Sequence, residues 1–250
     1  LLEKITSPCD MPNTKLVLSD NMIQHLAKAH SQGVEVSNWD LTGLAGAGGI
    51  RSSTTDMVNF LKANMGVTKS SINEAMTLSH EVAYSKAADQ FEIGLGWHYA
   101  QNNDDTLIWH NGATGGYKAF TGFIKGTQTG VVVLANSDGD IGRLGMKLLG
   151  DPRPLEIPKP SIIMPVNKAI NANGIESGIA VYNSLKAEKP NDYKFDEQQL
   201  NTLGYQYLAD GKNDIALALF KLNVESFPKA SNPYDSLGEA YLKMGNTDEA

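Results

Sequence analysis

The sequence predicts an α+β fold followed by an all-α helical-repeat tail, on three observations. Between residues 95 and 136, four short apolar runs (95–100, 106–110, 118–125 and 130–136) follow one another. Glycine-rich turns separate the last three, the pattern of an antiparallel meander. Helical patterns flank those runs on both sides. Past residue 168 the sequence repeats at an offset of 34 residues, the period of stacked helical hairpins.

The totals bound what such a chain does. At 250 residues it holds one or two domains with ample core. Its 41% hydrophobic and 20% charged content is that of a globular protein, and no apolar run reaches the length of a membrane span. A net charge of −7 argues against nucleic acid or anionic membrane as partner. The lone Cys9 excludes an internal disulfide framework and a multi-cysteine metal site. The first residues, "LLEKITSPCDMPNT", hold neither an initiator Met nor a signal peptide, and "KMGNTDEA" stops where a helix would begin. Both ends read as cut, so compartment is not legible.

In the first part, "SDNMIQHLAKAHSQG" predicts a helix capped by Ser19, with apolar residues at 22, 23, 26 and 27 and Gly33 past its end. "GIRSSTTDMVNFLKANMG" predicts a second, with Ser53 and Asp56 as a box-like start and Gly66 as the stop. "DIGRLGMKLLG" predicts a helix returning onto the sheet. Half of the ten prolines then fall in "DPRPLEIPKPSIIMP". Proline fixes φ and removes donors, so this reads as an extended connector. The boundaries drawn are 1–150 for the α+β part, 151–167 for the connector and 168–250 for the repeats.

In that last part Leu203-Gly204 with Tyr207 returns as Leu237-Gly238 with Tyr241, and Ala216 returns as Ala250. Leu200, Leu203, Gly204, Tyr207, Ala216, Phe220 and Pro228 occupy the large, small, aromatic and proline positions of a tetratricopeptide repeat, which the segment resembles. Gly204 and Ala216 are expected to let the helices of a hairpin approach, and Tyr207 and Phe220 to fill the space between hairpins. "GIESGIAVYNSL" reads as a preceding helix.

Metal chemistry finds no support. His25 and His30 are five apart and share no helix face, and His80-Glu81 lacks a second histidine at zinc-protease spacing. No metal site and no cofactor is expected. "LAGAGGIRSS" lacks the Gly-Lys-Ser/Thr ending of a phosphate loop and reads as a turn feeding the Ser53 cap. His25, His30 and His80 read as surface residues, and Trp97 and Trp109 as packing for the sheet.

"WHNGATGGY" is more suggestive. The strand "TLIWH" brings His110 to its end, Gly112 permits close backbone approach, and Gly115-Gly116 permit the reversal. Together with "LLEKITSPCDMPNT", "LAGAGGIRSSTTDMVNFL", "IGLGW" and "GVVVLAN", in that order and spacing, it resembles the serine hydrolases related to class C β-lactamases and penicillin-binding proteins, over about residues 1–150. The fold expected is then part of a β-lactamase/transpeptidase-like antiparallel sheet with helices. His110-Asn111-Gly112 matches the family's third motif, which lies on an inner strand.

The resemblance implies an acyl-enzyme mechanism. A Ser attacks a carbonyl, a Lys three residues on takes its proton, and a Tyr or Ser shuttles it. By the same likeness the Ala113 backbone N–H is one oxyanion donor. His110 hydrogen-bonds the proton shuttle or orients substrate, Asn111 lines the cleft, and Gly112 leaves room for the acyl chain. Tyr117 lines the cleft mouth or caps the hairpin. The substrate class implied is a small ester, amide or peptide with a D-configured end, and the family suggests an exported or periplasmic enzyme.

The nucleophile is missing. Ser226-x-x-Lys229 has proline where a helical turn must continue, and no Tyr-x-Asn exists. Ser19-Asp20-Asn21 and Ser71-Ile72-Asn73 spell second-motif tripeptides in the wrong places. The reading is therefore a piece of a serine hydrolase, inactive alone. The rival is a non-catalytic module that binds a protein or peptide through its repeats, or oligomerises through them. "GVVVLAN" is expected to be an exposed sheet edge that promotes aggregation.

Overall fold

The computed structural model describes residues 1–31, 33–86, 91–102, 105–156 and 158–250, with the backbone alone at Thr42, Phe91 and Asn102. The chain forms two compact units, one from residues 1–31 and 35–156, the other from residues 33–34 and 158–250.

The first unit is α+β. Ahead of its sheet lie a short helix α1 (Asp20–Gln24), two two-residue strands, β1 (His30–Ser31) and β2 (Val34–Glu35), a turn of helix α2 (Ala45–Gly48), α3 (Thr54–Asn64) and α4 (Asn73–Ser79). Strands β3 (Tyr84–Lys86), β4 (Phe91–Ile93), β5 (His98–Asn102), β6 (Asp105–Thr114), β7 (Tyr117–Ile124) and β8 (Thr129–Ala135) pair in chain order, every neighbour antiparallel. This is the meander the turns predict, with two further strands, β3 and β4, at its start. β5 begins at His98 rather than at 95, because Gly94 N–H donates to the Trp97 carbonyl in the preceding turn. β8, the "GVVVLA" strand, stands at one end of the order.

Alternation gives the sheet two faces. Ile108 and Phe123, opposite one another in register, join Trp97 and Leu61 of α3 in one apolar cluster. Leu107, Phe120 and Ile124 join Leu149, Ile141 and Met146 on the other, beneath α5 (Ile141–Leu148). Gly145 of α5 sits against the Phe120 ring. α3 starts and stops as its residues dictate. Ser53 Oγ accepts from Asp56 N–H, and Gly66 (φ +73°) carries the chain out while Val67 N–H bonds back to Lys62 O.

Two helix expectations change. The helix after Ser19 ends at Gln24, not near Gly33; its cap holds, with Met22 N–H on Ser19 Oγ. Residues 26–31 leave it to bond across to the sheet, where His30 N–H reaches Gly116 O. Asp56 does not close a capping box either. Its carboxylate is buried and turns away to accept from Asn13 N–H (2.8 Å) and Thr14 Oγ1 (2.7 Å), with Ser53 Oγ donating to its other oxygen.

The second unit is helical: α6 (Ile163–Asn173), α7 (Ile175–Glu188), α8 (Glu197–Ala209), α9 (Asn213–Ser226) and α10 (Asn232–Lys243). Consecutive pairs α6–α7 and α8–α9 pack together and α10 packs on α9, while α6, α8 and α10 also meet in sequence. Pro165 lies within the first turn of α6, where no intrahelical N–H is lost. Gly204 lies under Phe220, so the Phe220 ring packs between the two helices of one hairpin. Tyr207 does reach the neighbouring pair, its hydroxyl donating to Asn167 Oδ1 at 2.6 Å.

Candidate active site

β6 is longer than 106–110. Its ladder with β7 runs on to Thr114↔Tyr117, so His110-Asn111-Gly112 lies inside the strand and only Gly115-Gly116 make the turn. Gly116 has φ +74°, and a Cβ there would stand 2.7 Å from His30 N. Two needs, left-handed backbone and close approach, thus demand glycine at this turn.

On its other side β6 pairs with β5 only as far as Trp109↔His98. Among the described residues, 110–114 therefore have β7 on one side and no strand on the other. In an antiparallel ladder alternate backbone groups point to opposite neighbours, so part of this stretch's N–H and C=O groups point away from β7.

The end of this edge borders a cavity of about 620 Å³. Gly112, Ala113, Thr114, Tyr117 and Lys118 of the β6–β7 hairpin line it, facing Arg51, Ser52 and Ser53 before α3 and Trp39 from the preceding loop. Trp39 is 57% exposed and lies over the turn, where a Cβ on Gly115 would be 2.4 Å from its ring. A Cβ built on Gly112 meets nothing within 4 Å, so the wall is open beside it. No acidic side chain lines the cavity among the described residues.

Of the five residues singled out from the sequence, Gly112, Ala113 and Tyr117 line this cavity; His110 and Asn111 do not. His110 is exposed and its ring stacks on His98, centroids 5.2 Å apart. Burial, then the neighbouring His110, holds the His98 imidazole below its ordinary pKa. Asn111 alternates with His110 and stands opposite Phe120, with its amide nitrogen near Gly142 of α5. The Tyr117 hydroxyl donates to Ala27 O at 2.5 Å, tying the 26–30 segment to the hairpin. Burial raises its pKa, and the Arg51 charge opposes that.

The sequence reading passed over Trp39 and the group behind Ser52. Ser52 Oγ and Thr14 Oγ1 are 2.7 Å apart, and Thr14 hands its proton to the buried Asp56. "MPNT" and "RSSTTD" both lie in segments that carried the family likeness, but nothing in either shows that they meet. His80 also departs from its surface reading. It is half-buried between Trp97 and Phe123, with Nε2 2.9 Å from Asn64 Oδ1.

An antiparallel sheet with a helix on each face, and a cavity at the open edge of an inner strand, define a β-lactamase-like fold. The chain belongs to the beta-lactamase family, whose model matches residues 1–147. Among solved structures it is similar to a class C beta-lactamase (TM-score 0.54, 18% identity, covering 62% of this chain and 51% of that one). It is also similar to a class C beta lactamase from Rhodobacter sphaeroides (0.53, 15%, 59% and 52%). A third is D-alanine carboxypeptidase AmpC from Burkholderia cenocepacia (0.53, 19%, 59% and 53%). The chain spans about half the length of these structures. No group of three or more His, Cys, Asp or Glu able to hold a metal occurs among the described residues.

Proposed function

We propose that residues 1–150 are the carboxy-terminal portion of a β-lactamase-like serine hydrolase, acting on small esters, amides or peptides with a D-configured end. In this reading they form one wall of an acyl-transfer cleft. The Ser-x-x-Lys nucleophile and base and the Tyr-x-Asn shuttle come from outside these 250 residues, and the chain alone turns nothing over. The observation that carries the reading is the open edge of β6, whose small residues Gly112 and Ala113 border the cavity. A backbone N–H on such an edge is a preorganised donor for an oxyanion, and Ala113 is the residue assigned that role. His110 orients substrate or the proton shuttle from beside the cavity. In this reading the proline-rich stretch within 151–167 serves as the connector as far as α6, which begins at Ile163, and the helices that follow serve as tetratricopeptide-like repeats.

The test is the coding sequence immediately upstream of Leu1, expressed together with this chain. The extended protein should react with a fluorophosphonate at one serine and hydrolyse a p-nitrophenyl ester, and the 250-residue chain should do neither. Stoichiometric labelling of the short chain would overturn the division of labour, and an unreactive extended protein would overturn the enzyme reading.

A second reading draws on the layer formed by α6, α8 and α10. Helical repeats of this kind present a surface to a peptide or protein partner, so the second unit would act as a binding module. Isothermal titration of residues 158–250 against a peptide library tests it, and binding lost on helix-surface substitutions would support it.

A further inference from the structure

The cavity wall carries hydroxyls whose protons are already spoken for. Ser52 lines the cavity, and its Oγ is 2.7 Å from Thr14 Oγ1. Thr14 has one hydroxyl proton, and it goes to Asp56 Oδ2 at 2.7 Å. Asp56 is buried, and its carboxylate accepts from Asn13 N–H, Asn13 Nδ2, Thr14 Oγ1 and Ser53 Oγ, all donors. The direction of the chain is thereby set. Thr14 donates inward, so toward Ser52 it can only accept, and Ser52 must donate to it. A hydroxyl has one proton and two lone pairs. With its proton committed, Ser52 offers the cavity lone pairs only; its other contact, Ser53 O at 3.4 Å, is also an acceptor. Tyr117, which lines the same cavity, likewise gives its proton away, to Ala27 O.

We infer that Ser52 is a specificity-determining acceptor, its polarity imposed by Asp56 through Thr14, and that the cavity selects ligands bearing an N–H at that point: amides over the matching esters. The inference rests on the cavity being the substrate site and narrows the substrate class left open above. An ester differs from its amide there by replacing a donor with an oxygen that repels the Ser52 lone pairs. A hydrogen bond of ordinary net strength, about 1 kcal/mol, corresponds to roughly 5-fold in affinity.

The experiment needs no nucleophile and uses the chain as it is. N-acetyl-D-alanyl-D-alanine and its ester counterpart N-acetyl-D-alanyl-D-lactate differ by one N–H, and each is titrated while the Trp39 indole N–H and Gly112 amide resonances are followed. The amide should bind about 5-fold more tightly. Ser52→Ala should bring the ratio to about 1 with the fold intact, because the residue is partly exposed. Thr14→Ser, which keeps the buried hydroxyl, should preserve the preference, and a purely structural role for the chain of hydroxyls would not produce that split. Equal binding of both ligands, or an unchanged ratio in Ser52→Ala, overturns the inference while leaving the cavity as the site. Binding of neither ligand, or binding that leaves Trp39 and Gly112 unmoved, overturns the cavity reading and the inference with it.

Discussion

His80 makes a quantitative prediction about acid stability. Asn64 Nδ2 donates to Phe60 O at 2.8 Å, which turns Asn64 Oδ1 toward His80. The imidazole must then carry its proton on Nε2 to donate to that oxygen. Its Nδ1 is buried and has no partner among the described residues, against the rings of Trp97 and Phe123. Protonation would place a second N–H there with no acceptor. Burial, and secondarily the charge of Lys125, push the His80 pKa down from 6.5 to about 4. A folded-state value below the unfolded one means that the unfolded chain binds more protons between those limits. Stability is then fully present above pH 6.5 and is lost as pH falls toward 4. At ~1.4 kcal/mol per pH unit the loss is about 3 kcal/mol. Urea unfolding followed by tryptophan fluorescence, from pH 7.5 to 4, should show it. His80→Gln keeps a donor for Asn64 and does not titrate, so carboxylate effects common to both proteins cancel in the difference. Parallel stability–pH curves for the two proteins would refute the argument, as would an NMR titration of His80 with a midpoint near 6.5.

Asp56→Ala strands the Asn13 N–H and the Thr14 and Ser53 hydroxyls, and should cost on the order of 3 kcal/mol in urea unfolding, with Asp56→Asn milder. Gly145→Ala puts a Cβ 2.1 Å from the ring of the fully buried Phe120. Overpacking there should lower stability by about 1–3 kcal/mol in thermal melts of the chain, with the loss confined to the first unit. Gly204→Ala sets a Cβ 2.6 Å from Phe220 and should melt the second unit early, seen as helix loss by circular dichroism, while the His80 titration stays in place.

The parts of the fold legible in the sequence are those built by local chemistry. Ser19 and Ser53 cap helices because each puts a hydroxyl next to free N–H groups. Gly116 marks the β6–β7 reversal, and alternation within "TLIWHNGAT" and "YKAFTGFI" sets the two faces of the sheet. Tertiary contacts defeat local pattern elsewhere. Residues 26–31 carry helical spacing but become a strap because His30 N–H, the Ala27 carbonyl and the Lys28 carbonyl find partners on the hairpin and Asn136. His80 looks like an exposed residue because burial and the Asn64 contact are set by packing 16 positions away. At the candidate site, motif spacing identifies the strand and its glycine. It does not show that β6 outruns β5, which depends on where β5 begins.

Two departures from ordinary local economy meet at one place. A buried carboxylate is costly unless donors surround it, and Asp56 takes hydrogen bonds from the side chains of Asn13 (Nδ2 to Oδ1, 3.4 Å), Thr14 and Ser53. A strand with one open side invites unwanted pairing, yet β6 leaves residues 110–114 open and fills two of them with Gly and Ala, which cover little of the backbone. Neither feature is required for the apolar clusters on the two faces of the sheet, which stand on other residues. Both end on the same cavity, one at Ser52 and the other at Gly112 and Ala113. Sequences that depart from local consistency without gain to the core tend to do so where function requires it. That convergence, more than the tripeptide His110-Asn111-Gly112 by itself, is the physical argument behind the proposal that substrate binds there.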